Sequence, residues 1–317
     1  MKISTIFIGT GEFCLPSLEL LLKSTEFNLT ALITQPDKPQ GRKQILTAPL
    51  PKQLLKDQGK INIYQPKKLT LEAQAILEAE KPELIIVCAY GQIIPKLMLD
   101  YPKYGCLNIH GSLLPTYRGA VPIQMVLLAG DKYTGCSILK MTPGLDDGPV
   151  LAEKIQEISL EDDYLSLRRK LSLVGADLLI SSLPLWIDGT INPLDQLQLA
   201  AQTGRKLSIC KISDASRDRA QILISDDIQL VINKIRAFNN EPTAWVKINQ
   251  AKNELKIFKA RLVDSELSQT TEPQLISQNN HLLLKLKTGT IELIELQLAG
   301  KKRSFAKDYL YLAEKNN

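Results

Sequence analysis

The sequence predicts an α/β protein, a doubly wound and mostly parallel sheet followed by a smaller antiparallel β domain. Three observations carry this. The first half of the chain alternates short β-branched runs with helical patterns, as βαβ units do. Toward the C-terminus apolar residues alternate with charged ones at period two, the mark of half-buried strands. A length of 317 residues exceeds one ordinary compact domain and suits two, and 44% hydrophobic against 23% charged residues is the composition of a folded chain.

Taken in order, residues 3–8 form an apolar run that meets Gly9. It is too short for a signal h-region with its cleavage site and reads as a buried first strand. Further strands are expected at 29–34, 84–89, 106–110 and 135–141, with helices at 15–22, 48–56 and 70–80 between them. In open sheets of this kind ligands sit outside the carboxyl ends of the strands, so the loops that follow these strands are the places to search. A long amphipathic helix, with a break, is expected over 161–187, stopped by Asp188-Gly189-Thr190. Residues 191–207 read as a linker, which puts one domain at 1–190 and the second at 208–317. The second domain should hold one helix at 222–238 and strands at 282–287 and 290–298.

Composition narrows the function classes. No stretch approaches the roughly 18 uninterrupted apolar residues of a membrane span, and a cytoplasmic protein is expected. Cys14, Cys88, Cys106, Cys136 and Cys210 are scattered through mostly apolar runs and read as buried reduced thiols. With only His110 and His281 besides, no metal is expected. The net charge of +5 is unevenly placed. From Lys206 onward there are 18 Lys and Arg against 13 Asp and Glu, so the whole surplus lies there and hints at a polyanionic partner.

The densest chemistry is at residues 106–120. Asn108 and His110 are two apart, so on a strand they point to one face, and Gly111 lets the chain leave the sheet sharply. An imidazole exchanges protons near neutral pH, and an amide N–H can meet a developing oxyanion. A second strand-end loop, Met141-Thr142-Pro143-Gly144-Leu145-Asp146-Asp147-Gly148-Pro149, presents paired acids between glycines. Asp-Gly pairs are most often turns, yet an amide, an imidazole and a carboxylate from two such loops make an acyl-transfer constellation. A carboxylate beside His110 favours its protonated form or fixes its tautomer.

Other chemistries are disfavoured. Gly9-Thr10-Gly11 lacks the third glycine of a dinucleotide fingerprint, where Cys14 stands, and no acidic residue closes the second strand. No serine sits in a Gly-x-Ser-x-Gly elbow, and covalent catalysis is not expected. The loop from Thr34 to Gln44 carries two prolines, a glycine and three cations, and projects where phosphates could be met.

These motifs together resemble the methionyl-tRNA formyltransferases of bacteria and organelles. The resemblance runs along nearly the whole chain: Phe7-Ile8-Gly9-Thr10, Gln35-Pro36-Asp37-Lys38-Pro39 with Gly41-Arg42, Ala89-Tyr90-Gly91-Gln92-Ile93-Ile94-Pro95, and Asn108-x-His110-x-Ser112-Leu113-Leu114-Pro115-x-x-Arg118-Gly119. It continues with Gly144-Leu145-Asp146-x-Gly148, Ile235-Arg236-Ala237-Phe238-Asn239 and Leu298-Ala299-Gly300-Lys301-Lys302.

The resemblance implies a Rossmann-like formyltransferase domain followed by a small β-barrel of oligonucleotide-binding type. It implies catalysis by Asn108, His110 and Asp146, and binding of 10-formyltetrahydrofolate with the help of Ser112, Leu113, Leu114 and Pro115. It implies an initiator methionyl-tRNA contacted by Lys38, Arg42 and Lys43 and by Lys301, Lys302 and Arg303, and a monomer is expected. The sequence departs from the family at Gly11, where proline is usual, at Lys43-Gln44-Ile45, where a further glycine and basic pair are usual, and at Asp147 and Pro149. Two other readings remain: a formyltransferase for a small amine such as glycinamide ribonucleotide or an amino sugar nucleotide, and a non-catalytic tRNA-binding protein.

Overall fold

The structure is a computed structural model that describes residues 2–314 except 42, 57, 60 and 249–252. In chain order the elements run β1 (Ile3–Gly9), α1 (Leu15–Lys23), β2 (Phe27–Ile33), β3 (Lys38–Gln40), β4 (Ile45–Thr47), α2 (Leu50–Leu54), β5 (Asn62–Tyr64), α3 (Leu69–Glu80), β6 (Leu84–Cys88), α4 (Lys96–Asp100) and β7 (Cys106–His110). There follow β8 (Arg118–Gly119), α5 (Pro122–Ala129), β9 (Tyr133–Lys140), β10 (Val150–Glu157), α6 (Tyr164–Ile187), α7 (Gln196–Thr203), β11 (Ile209–Cys210) and α8 (Ile228–Ala237). The chain then forms β12 (Trp245–Ile248), β13 (Asn253–Asp264), β14 (Gln274–Gln278), β15 (His281–Leu286), β16 (Gly289–Leu298), β17 (Ser304–Phe305) and α9 (Tyr311–Glu314). These gather into two compact units, Met1–Gly119 with Tyr133–Glu157 and Arg168–Ile209, and Ala120–Lys132 with Ile158–Leu167 and Cys210–Asn317.

The first unit is built on a seven-stranded sheet in the order β10-β9-β7-β6-β1-β2-β5. The five strands from β7 to β5 are parallel. Their nearly unbroken apolar sequences follow from burial on both faces. Ile6, Ile8, Ile85 and Val87 pack with Leu69, Ala73, Ile76 and Leu77 of α3 and with Met98 and Leu99 of α4. Each buried Ile, Val, Leu or Met side chain among these contributes about 2 kcal/mol relative to exposure.

The strand expected at 135–141 is β9, but it runs antiparallel to β7, and β10 pairs antiparallel to β9. The sheet is mostly parallel as expected, with β9 and β10 its antiparallel strands, and the sequence pattern marks neither β5 nor β10. β10 carries Glu153, Lys154 and Glu157, so its pattern lacks the apolar run that marks an inner strand.

The long helix is unbroken over Tyr164–Ile187 even though Pro184 lies inside it. It is long and apolar enough by composition to be compared with a membrane span. Its buried Leu171, Ala176, Leu179 and Leu183 mark it as a helix with a face in a protein core. Gly175 lets it approach the sheet closely: a Cβ there would stand 2.8 Å from Ile109 Cγ2. Residues 191–207, read as a linker, hold α7, whose first turn is capped by the Asp195 carboxylate on the N–H groups of Leu197 and Gln198.

The second unit contains a curled antiparallel sheet in the order β12-β13-β16-β15-β14, with β17 paired to β16. This is the form taken by the expected C-terminal β domain. Its helix starts at Ile228 and not at 222, because Asp227 caps it by accepting from the N–H groups of Gln229 and Leu230. Its last turn is anchored by Arg236, whose guanidinium donates to the carbonyls of Asp162 at 2.7 Å and Ser159 at 2.8 Å. Beside it Lys234 Nζ donates to Asp226 Oδ2 at 2.6 Å, in a pair that is about nine-tenths buried on each side.

Candidate active site

In the parallel sheet the strand order reverses between β1 and β6, so the carboxyl ends of these two strands border the crevice where open α/β sheets bind ligands. β7 lies next to β6, with Asn108 level with Val87. The loops around this crevice are tied together. Thr10 Oγ1 donates to the Tyr90 carbonyl at 3.4 Å, and Gln35 Nε2 donates to the same oxygen at 3.2 Å. Ala89 and Gly91 both take left-handed backbone, at φ 51° and 83°.

Asn108 and His110 share one face at the end of β7 as alternation requires, Asn108 partly exposed and His110 buried. Asp146 reaches both. Asn108 Nδ2 donates to Asp146 Oδ1 at 3.2 Å, and His110 Nδ1 lies 3.5 Å from Asp146 Oδ2. The same Oδ2 accepts from the Gly119 N–H at 2.9 Å. The three residues expected to act together are therefore brought into one cluster, Asn108 hydrogen-bonded to Asp146 and His110 within ion-pair distance of it.

Asp146 arrives by a route that the sequence pattern does not show. Because β9 is antiparallel, its carboxyl end lies beside the start of β7, with Lys140 level with Leu107. The loop after β9 must fold back along β7 to bring Asp146 to Asn108, and Asp146 takes the left-handed conformation at φ 46° in doing so. Gly148 makes the return possible, since a Cβ there would stand 1.9 Å from the Lys140 carbonyl oxygen.

The imidazole is fixed from both sides. His110 Nε2 lies 2.9 Å from the Tyr117 carbonyl, which can only accept, so Nε2 carries a hydrogen. In the neutral ring Nδ1 then turns its lone pair toward Asp146, and in the charged ring it turns an N–H there. Cys106, two residues before Asn108 and on its side of the strand, is fully buried with Sγ 3.6 Å from Met141 Sδ. Burial pushes that thiol well above its ordinary range, which suits a packing residue and not a nucleophile.

Of the residues expected to bind co-substrate, Ser112, Leu114 and Pro115 are buried and only Leu113 is partly exposed. Ser112 Oγ donates to the Thr116 carbonyl at 2.7 Å, and Leu114 packs with Leu139, Val150 and Leu199. The Leu114 carbonyl accepts from Arg205 Nη1 at 2.6 Å, while the same guanidinium forms a two-pronged pair with Glu153. These contacts stiffen the segment from Ser112 to Pro115, next to the site.

The residues expected to meet a polyanion are spread over two places. Lys38 and Lys43 are exposed on the β3–β4 hairpin, where Ile45 and Leu46 also face solvent, and Arg42 lies outside the described residues. The base of the hairpin is held by Lys52, which donates to Asp37 Oδ1 at 2.9 Å and Gln65 Oε1 at 2.7 Å. The Gln65 amide and then Lys52 hold the Asp37 carboxyl below the usual carboxylate range. Lys301, Lys302 and Arg303 are exposed between β16 and β17. Arg303 is already engaged, paired with both oxygens of Glu295 and stacked 4.0 Å from the Phe258 ring centre.

Among the described residues no group of His, Cys, Asp and Glu is arranged to hold a metal ion. The arrangement offers an amide donor, an imidazole and a carboxylate converging beside a crevice, a set suited to stabilising an oxyanion and moving a proton.

The comparisons with known proteins agree in kind. Residues 1–183 match the family described as Formyl transferase, and residues 215–312 match Formyl transferase, C-terminal domain. The chain is 37% identical over 309 residues to the Methionyl-tRNA formyltransferase of Caldicellulosiruptor saccharolyticus, covering 96% of this chain and 95% of that protein. It is 36% identical over 314 residues to that of Hydrogenobaculum sp., covering 98% of each. Among solved structures it resembles HypX from Aquifex aeolicus in complex with tetrahydrofolic acid, with TM-score 0.67 and 16% identity, over 100% of this chain and 48% of that one. It also resembles WlaRD, a sugar 3N-formyl transferase crystallised with dTDP and 5-N-formyl-THF, with TM-score 0.67 and 19% identity, over 95% of this chain and 100% of that one. At such identities the structural likenesses speak to the fold alone.

Proposed function

The chain belongs to the methionyl-tRNA formyltransferases, enzymes that formylate the methionine carried by initiator tRNA, and from that premise we propose which of its residues perform the reaction and how. The formyl donor is a folate; we take it to be 10-formyltetrahydrofolate, lying in the crevice at the ends of β1 and β6. The acceptor is the α-amino group of methionine esterified to tRNA.

The amine must be neutral to attack. Its nitrogen adds to the formyl carbon, an oxyanion forms, the bond from that carbon to N10 of the folate breaks, and N10 takes up a proton. Asn108 has two amide hydrogens, of which one is held by Asp146, leaving the other for the oxyanion. His110 has its Nε2 hydrogen committed to Tyr117 and its Nδ1 beside Asp146, so it serves the oxyanion from the Nδ1 edge, where a hydrogen is shared between the carboxylate and the oxyanion. Asp146 holds His110 in place, and its carboxylate accepts the proton that the amine loses and returns it to N10 as the folate leaves.

Lys38 and Lys43 on the hairpin, Arg42 of the same stretch of sequence, and Lys301 and Lys302 in the C-terminal part are assigned to the tRNA backbone. The surplus of positive charge beyond Lys206 favours a polyanion-borne amine over a small one. The protein is proposed to act as a monomer in the cytoplasm.

The observation that carries the catalytic assignment is the convergence of Asn108 and His110 on the one carboxylate of Asp146. It is tested by measuring formyl transfer from 10-formyltetrahydrofolate to charged initiator methionyl-tRNA, with elongator tRNA and small amines as controls. Transfer confined to small amines, or none at all, overturns the reading. Replacing Asn108 with Ala is expected to lower kcat by about 10²-fold or more, and near-native turnover of that variant would refute its role at the oxyanion.

A further inference from the structure

Gln196 is a buried side chain that the reaction scheme leaves without a part. Only 1% of it is exposed, and an amide in that position is destabilising unless its donors and acceptor are all met. They are met, and all within the candidate site. Nε2 donates to the Asp146 carbonyl at 2.7 Å and to the Gly148 carbonyl at 2.8 Å, and Oε1 accepts from Arg118 Nε at 2.8 Å. Two carbonyls on one side and a guanidinium on the other fix the amide orientation, because a flip would set acceptor against acceptor and donor against donor.

The geometry closes a ring around the carboxylate. Arg118 precedes Gly119, whose N–H holds Asp146 Oδ2 at 2.9 Å, and Asp146 is the residue in left-handed backbone whose loop has doubled back from the far end of β9. Within the loop Thr142 donates to the Asp147 carboxylate, and the Lys140 N–H donates to the Pro149 carbonyl at its base, but the carbonyls of Asp146 and Gly148 are both met by Gln196. We infer that Gln196 is a positioning residue for the reaction. It grips the Asp146 loop on both sides of Asp147 and, through Arg118, steadies the segment that supplies the Gly119 N–H, so that the carboxylate stays against Asn108 and His110. Its own backbone is set by the Asp195 cap at the start of α7.

This inference rests on Asp146 being catalytic, and the test separates the two. Single-turnover formyl transfer is measured for Gln196→Leu, for Asp146→Asn and for both together, alongside the KM for tRNA and for the folate and the thermal unfolding of each variant. Gln196→Leu is expected to lower kcat by about 10²-fold through displacement of the carboxylate, with both KM values unchanged, and to add little to the loss already caused by Asp146→Asn. Gln196→Glu keeps the acceptor for Arg118 but not the two donations, and it supplies the same cycle where the leucine variant does not fold.

Native-like turnover of Gln196→Leu, or an equal loss in both backgrounds, overturns the positioning role and leaves the assignment of Asp146 standing. Native-like turnover of Asp146→Asn instead removes that assignment, and the inference about Gln196 with it.

Discussion

Among single residues, the cysteines show how burial alone sets reactivity. Cys14 and Cys136 are pushed up to about 12 by burial, and Cys88 and Cys106 are raised as well. A thiol with its titration moved upward is neutral at pH 8, and the thiolate is the reactive form. These four cysteines are therefore expected to resist a disulfide-exchange reagent at pH 8 in the native protein and to react on denaturation. Rapid native labelling at any of them would disprove this. The proposed trio drew notice in the sequence because Asn108 and His110 interrupt an apolar strand at its end, and Asp146 follows the next strand recognised. Gln196 was not legible. Its partners are Arg118, Asp146 and Gly148, which no local periodicity connects to it, and it lies in a polar stretch read as a linker.

At the level of elements, the strand patterns of β1, β6 and β7 were readable because burial on both faces forces an apolar run. β10 was not, since an edge strand with one neighbour can carry charges. The direction of β9 escaped for a different reason: side-chain alternation is the same whichever way a strand runs. That direction has a mechanical result in the β9–β10 hairpin, where Gly148 packs on the Lys140 carbonyl. Gly148→Ala is expected to destabilise the protein by about 1–3 kcal/mol through overpacking, and to lower kcat because the displaced segment carries Asp146. Denaturant unfolding and steady-state kinetics on the same preparation check both parts. In the second unit, the pair formed by Lys234 and Asp226 is buried on both sides. Replacing Lys234 with Met strands a carboxylate and should cost about 3 kcal/mol of stability, as read by chemical denaturation.

For the whole molecule, charge placement matters more than net charge. Residues 1–205 are balanced, while the remainder holds 18 basic and 13 acidic residues. If that surplus meets the phosphates of tRNA, the KM for methionyl-tRNA rises steeply with salt while kcat changes little, because counterion release governs association and not the chemical step. Steady-state kinetics over a range of salt concentrations read this directly, and a salt-insensitive KM would place the tRNA contacts elsewhere.

The return of the Asp146 loop has one more consequence, for how such a protein can change over generations. The acid comes on a hairpin at the rim of the sheet, whereas the amide and imidazole come on an inner strand. Lengthening or rewriting the rim hairpin breaks no pairing within the parallel core. A change in that hairpin therefore reaches the acid directly while the pairing of the parallel core stays as it is.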